Sequence, residues 1–253
     1  MKLPLLISIP HGGTKIPEEV SRQVHLSPKD LFEDSDSFTR EIYGIKEDVL
    51  TLVETDIARA FIDLSRDITD RPPENPDGIV KTKTCHGHSI YSSAAFPDEA
   101  TLKILVQKYY DPYHKMIEDT FKGATEIQLA LDCHTMEPIG PAISPDTGKE
   151  RPSICLGNNF GKSCPDKWVQ NLSKCFQKSF NLDEGEITIN EPFAGGYITR
   201  KYGNNPLPWV QIEMNRKMYL SSPWFDKNNR SVAPDRLKDL RESFREGLEL
   251  FFS

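Results

Sequence analysis

No apolar stretch in this chain approaches the roughly 18 residues that a membrane-spanning helix needs. The first residues also lack a basic segment followed by an apolar core and a small-residue cleavage site, so no secretory leader is expected. Cysteine is scarce: Cys85, Cys133, Cys155, Cys164 and Cys175 are odd in number, far apart, and form no C-x-x-C pair. That argues against a disulfide framework or a structural zinc knot and points to free thiols in a reducing cytoplasm. Positive charge is in deficit as well. The net charge is −7, the two signs are interspersed, and no Lys/Arg stripe with interleaved aromatics appears. Such a surface repels phosphate backbones, so neither nucleic acid nor a membrane is an expected partner. There is no internal repeat and no low-complexity tract.

What the chain does have is a succession of short apolar runs rich in leucine and β-branched residues. Strands are predicted over residues 3–9, 49–55, 127–133, 153–156, 187–189 and 209–214. Their near-continuous apolar character suits a sheet buried on both faces. Helical patterns lie between them: residues 98–123, with a kink expected at Pro112, which has no N–H to donate, and residues 167–180 after Pro165-Asp166. Over residues 234–252, Leu237, Leu240, Phe244, Leu248 and Phe251 recur at three- and four-residue steps and make one apolar helix face. Strands alternating with helices predict an α/β fold with a central sheet, as a single domain over residues 1–253. Loops rich in Pro, Asp and Gly at residues 69–78 and 137–152 are expected at the rim of a site.

Two of the strands run into histidine. Residues 3–14 read L-P-L-L-I-S-I-P-H-G-G-T, and residues 127–136 read I-Q-L-A-L-D-C-H-T-M. In open α/β sheets ligands bind beyond the carboxyl ends of strands. His11 and His134 are therefore candidates for one site, and two imidazoles joined by a carboxylate make the open three-ligand set of catalytic zinc. Side-chain alternation puts Asp132 on the face of His134, where it can orient the ring, and turns Cys133 the other way, which weakens a cysteine-hydrolase reading. Gly12 and Gly13 permit a close approach of substrate, and a second Gly-Gly pair, Gly195-Gly196, follows a strand in the same manner. A plain turn is the alternative for either pair.

Glu213, a carboxylate inside the apolar run W-V-Q-I-E-M, is the candidate general base; a salt bridge with Arg216 or a nearby lysine is its structural alternative. Arg59 and Arg66 are candidates to clamp a substrate carboxylate. Asp56, Asp63 and Asp67 nearby offer an ion-pair cluster instead. His114 reads as a packed or capping histidine; His86 and His88, in C-H-G-H, resemble a metal pair but read better as part of a mobile substrate loop or as chance, and His25 has no evident partner.

Taken in order, P-H-G-G at residues 10–13, E-D-S-D at 33–36, R-A-F-I-D-L-S-R at 59–66, Y-H at 113–114, D-C-H-T at 132–135, P-F-A-G-G-Y-I-T at 192–199 and I-E-M-N-R-K-M-Y at 212–219 resemble the N-formylglutamate amidohydrolase (deformylase) family. The resemblance implies a zinc-dependent enzyme of linear amides, with a part in histidine degradation. It also implies a three-layer α/β domain with a mixed sheet, similar to the zinc carboxypeptidases and aspartoacylases. Position by position, it implies His11, His134 and a carboxylate of residues 33–36 as ligands of one divalent metal ion, with Asp36 favoured over Asp34 and Glu33. It further implies Glu213 and Arg66 as catalytic residues, and Arg59, Arg66, Gly195, Gly196 and Thr199 as contacts for an acidic N-acyl amino acid. Gly12 stands where the family usually has serine. Ser65 stands where asparagine is common, so a side-chain amide that could reach a substrate carboxylate is missing. The alternatives are a zinc carboxypeptidase or amidase acting on peptide or cell-wall fragments, and a non-catalytic binding protein that keeps the fold.

Overall fold

The structure, a computed structural model, describes residues 2–92, 96–123, 126–142 and 144–253. They group into two compact units. One comprises Met1–Ile9, Phe38–Leu52 and Glu126–Ser253; the other comprises Pro10–Ser37 and Val53–Thr125.

The first unit holds a six-stranded sheet in the order β2-β1-β3-β6-β4-β5. Its strands are β1 (Leu3–Ile9), β2 (Val49–Glu54), β3 (Leu129–Met136), β4 (Ile154–Gly157), β5 (Ile187–Ile189) and β6 (Trp209–Asn215). β3 runs parallel to β1 and β6, β4 is antiparallel to β6 and parallel to β5, and the sheet is therefore mixed. β3 is buried over all eight residues, with strands on both sides taking up its backbone hydrogen bonds. It was expected over residues 127–133 and instead runs to Met136. The polar residues Asp132, His134 and Thr135 hide its far end from a reading based on apolar runs, although pairing with β6 extends through Met136.

Alternation along these strands sorts the sheet into an oily face and a polar one. Leu5, Ile7, Ile9, Leu129, Leu131, Cys133, Val210, Ile212 and Met214 pack in one core with residues of α2 (Thr39–Tyr43), α5 (Asp166–Ser179) and α7 (Pro234–Phe252). The side chains of opposite parity include Ser8, Asp132, His134, Gln211 and Glu213, and all are buried. The apolar face expected on residues 234–252 forms as read, with Leu240, Phe244 and Leu248 buried and Phe244 edge-on to Tyr43.

In the second unit α1 (Pro28–Asp34) opens with a capping box, in which Ser27 Oγ accepts from Asp30 N–H and the Asp30 carboxylate accepts from Ser27 N–H. The helical stretch near residue 112 is not simply kinked. α3 (Glu99–Leu105) passes through a π turn, Val106–Tyr110, into α4 (Asp111–Gly123). The N–H of Asp111 reaches back five residues to the Val106 carbonyl, a wider turn immediately before the proline that has no N–H to offer. Of the two Pro/Asp/Gly-rich loops, Ile143 in the second lies outside the described residues. α6 (Tyr197–Tyr202), a single 3-10 turn over Arg216–Met218, β7 (Phe225–Asp226) and β8 (Ser231–Val232) complete the elements. No helix among the described residues is long and apolar enough to cross a membrane.

Candidate functional site

The chemistry-bearing side chains fall into two sets, one in each unit. In the second unit, His11 follows two residues after the end of β1, and its Nε2 lies 2.7 Å from Asp63 Oδ1. Asp63 is fully buried. Burial alone would raise its pKa, but His11 and then Arg59 beside it hold it well below the usual carboxylate range. An ionised carboxylate only accepts, so Nε2 donates to Asp63 and the Nδ1 side of the ring is turned elsewhere. On that side stands Asp36, with Oδ2 3.7 Å from Nδ1. The backbone helps: Asp36 N–H donates to the His11 carbonyl at 3.3 Å.

The other two carboxylates of E-D-S-D are committed elsewhere. Asp34 takes both its oxygens to the buried ammonium of Lys81 at 3.2 Å and also accepts from Cys85 N–H. Glu33 pairs with Lys29 at 3.6 Å on the outer surface of α1. Geometry therefore singles out Asp36 as the carboxylate that meets His11. Gly13 earns its place by close approach, since a Cβ there would stand 2.4 Å from the backbone of Asp56 and Ile57. Neither Gly12 nor Gly13 has a positive φ, so the backbone freedom expected of the pair is not used.

Both candidate arginines sit among acids. Arg59 donates to Asp63 at 2.9 Å and lies 3.5 Å from Asp36. Burial works against its charge, but Asp63 and Asp36 outweigh that and raise its pKa well above the ordinary value. Arg66 donates to Asp77 and lies 3.9 Å from both Asp63 and Asp70, and its side chain is 32% exposed. The loop carrying Arg66 is tied down from the helical segment. Tyr110 Oη donates to the Arg66 carbonyl at 2.9 Å, and His114 Nε2 lies 3.0 Å from the Leu64 carbonyl. His114 is thus the packed histidine that its position suggested. His88 pairs with Asp30 at 2.7 Å.

The first unit repeats the histidine–aspartate theme. His134 lies inside β3 rather than beyond it, and its Nε2 approaches Asp132 Oδ1 at 3.1 Å. Asp132 is held in turn by Thr199 Oγ1 at 3.1 Å and Ser8 Oγ at 3.4 Å. Thr199, expected to touch substrate, is fully buried and spends its hydroxyl on Asp132. Next to His134 across the strand pair stands Glu213, its register partner on β6. Arg216 donates through Nη1 to Glu137 at 2.6 Å and through Nε to Thr135 at 3.2 Å. Glu213 Oε1 accepts from Gln211 Nε2 at 2.6 Å. The other end of that amide accepts from the N–H of Gly196, in the Gly195-Gly196 turn that starts α6. Gly195 has φ +145°, open to glycine and rarely to other residues. Sequence reasoning overlooked Asp63 as the partner of His11, and Gln211 entirely. The signal for Gln211 was present: it is a polar residue two positions from Glu213 on an apolar strand, and so on the same face.

In the first unit an imidazole and a carboxylate, His134 and Asp132, share the polar face of the mixed sheet with buried Glu213, and in the second unit His11 stands with Asp36 and Asp63; such pairings are the equipment of acid–base chemistry. Residues 3–220 match the model of the N-formylglutamate amidohydrolase family. The chain is 25% identical over 227 residues to the N-formylglutamate deformylase of Pseudomonas putida, covering 87% of this chain and 82% of that protein. Among solved structures, an N-formylglutamate amidohydrolase from Ralstonia eutropha aligns with a TM-score of 0.80 at 19% identity, over 99% of this chain and 94% of that one. A gene product of Agrobacterium tumefaciens aligns at 0.62 and 16% identity, over 99% of this chain and 91% of that one. These structural likenesses show a shared fold. The chain belongs to the N-formylglutamate amidohydrolase family.

Proposed function

We propose that the chain hydrolyses an N-acyl amino acid, with N-formyl-L-glutamate as the substrate, and that both units act as one functional domain over residues 1–253. The reaction uses one divalent metal ion, with zinc the expected metal, and His11, Asp36 and His134 are its ligands. Two imidazoles and one carboxylate, all buried, are the donor set that zinc favours in an open catalytic site. The observation that carries this reading is the His11 ring, whose Nε2 is taken up by buried Asp63 while its Nδ1 side faces buried Asp36. His134 is buried too, with Asp132 3.1 Å from its Nε2.

When bound, such an ion eases the ionisation of water and polarises the amide carbonyl. The protein's own groups do the rest. Glu213 accepts the proton of the attacking water and returns it to the departing nitrogen. Arg66 and Arg59 hold the acidic end of the substrate, with the Gly195-Gly196 turn lying along its backbone. Thr199 contributes through Asp132. For N-formyl-L-glutamate the products are formate and glutamate. The test is release of the free amino acid from that compound, from N-acetyl-glutamate and from acidic dipeptides, with formate measured for the N-formyl compound, with chelator and with added zinc. Formate release that stops with chelator and returns with zinc is expected, and a clear preference for a dipeptide would point to a peptidase.

A further inference from the structure

We infer that Gln211 is a positioning residue that fixes the Glu213 carboxylate and ties it to the Gly195-Gly196 turn; this rests on Glu213 being the base. Gln211 is buried on β6 and lies two residues before Glu213, so both side chains leave the same face of the strand. Its amide makes one bond with each of its two unlike ends. Nε2 donates to Glu213 Oε1 at 2.6 Å, and Oε1 accepts from Gly196 N–H. The amide has only one orientation that works. A carboxylate can only accept and a peptide N–H can only donate, so turning the amide over would set acceptor against acceptor and donor against donor.

The turn at the far end of this link has little freedom. The Ala194 carbonyl accepts from Asn159 N–H at 2.6 Å, and a Cβ at Gly157 would stand 2.7 Å from the Ala194 carbonyl carbon. The turn is pressed onto the end of β4, and Gln211 joins it to the base. A glutamate side chain otherwise has three torsions to settle, and a base misplaced by about 1 Å costs on the order of 10²-fold in rate. Gln211 removes that freedom with a bond in a buried setting, where hydrogen bonds are strongest.

Two substitutions separate the two ends of the amide. Gln211→Glu keeps an acceptor for Gly196 and loses the donor to Glu213. Gln211→Met, of similar shape, loses both. We expect Gln211→Glu to lower kcat by about 10²-fold with KM within about twofold of wild type. Gln211→Met should lower kcat alike and also raise KM several-fold, because the turn is released. Bound metal should stay at the wild-type ratio in both, which separates misplacement of the base from loss of the site. Adding Gln211→Met to Glu213→Gln should cost little beyond Glu213→Gln alone, since the amide acts through that carboxylate. Wild-type kcat in both Gln211 variants, beside an inactive Glu213→Gln, would overturn the role of Gln211 and leave the base in place. Full additivity in the double variant would overturn it as well. Near-normal turnover by Glu213→Gln would instead remove the base assignment on which the inference stands.

Discussion

His134 and Glu213 are register partners on adjacent parallel strands, both buried and both on the sheet face opposite the oily core. A candidate metal ligand and a candidate base are thereby placed side by side by backbone pairing rather than by a mobile loop. The neighbouring positions on the other parity, Cys133 and Ile212, belong to the core. A one-residue slip of β6 against β3 would turn Glu213 into that core, so the register that stabilises the sheet also maintains the site.

Glu213→Gln keeps the shape of the side chain and the partner of Gln211 but cannot take a proton. Its turnover should fall by at least about 10²- to 10⁴-fold while bound metal stays at the wild-type ratio. Steady-state kinetics and elemental analysis on the same preparation check this, and near-wild-type turnover would exclude Glu213 as the base.

Asp34 and Asp36 are two residues apart yet predict opposite phenotypes. Asp36→Asn should lose metal and activity with the fold intact. Asp34→Ala removes one of two carboxylates at the ammonium of Lys81, which is 1% exposed and keeps Asp77 at 2.9 Å. Leaving a buried charge wholly unpaired costs about 3–5 kcal/mol, and with Asp77 retained the loss should fall below that, so Asp34→Ala should be a stability variant seen in denaturant melts. A stable Asp34→Ala that lacks metal would reverse the two assignments.

Acid sensitivity has a source in the loop before β4. Hydrogen bonds from Arg151, first among the causes, together with Ser144 hold the Asp146 carboxylate far below its ordinary pKa. A carboxylate depressed in the folded state adds stability that is complete above its unfolded value of about 4 and is lost as pH falls toward the folded value. Asp146→Asn should therefore be less stable at neutral pH and show a shallower loss of stability between about pH 4 and 2. Urea midpoints across that range are the measurement, and parallel curves for variant and wild type would refute the link.

The thiols give a simple count. Cys133, Cys155 and Cys164 are buried, and burial pushes Cys155 up to about 11 and Cys164 up to about 12. Cys85 and Cys175 are partly exposed. A thiol-specific dye at pH 8 should label two sites quickly in the folded chain and five in denaturant. Fast labelling of a third site in the folded chain would show one of the buried thiols to be open.

Much of this was legible beforehand because apolar runs mark buried strands directly, and β1, β5 and α7 fall where the pattern puts them. His11 and His134 stood out as polar residues where such runs end. The rest was hidden for physical reasons. α2 and α6 are too short to show a helical period, and β3 disguises its last turn of strand with Asp132, His134 and Thr135. The ion-pair network that commits Asp34 to Lys81 and Asp63 to His11 joins residues 47 and 52 positions apart. Which acid meets which base over such separations depends on the folded path. The polar parity of β6 was readable, and Gln211 was missed because attention fell on the charged residue beside it.

The most direct test of the whole account is anomalous diffraction at the zinc edge from crystals of the metal-loaded chain. The account predicts one strong peak bonded to Nδ1 of His11, a carboxylate oxygen of Asp36 and a ring nitrogen of His134 at about 2.0–2.2 Å. A peak on other residues, or zinc-loaded crystals with none at these three, would contradict it.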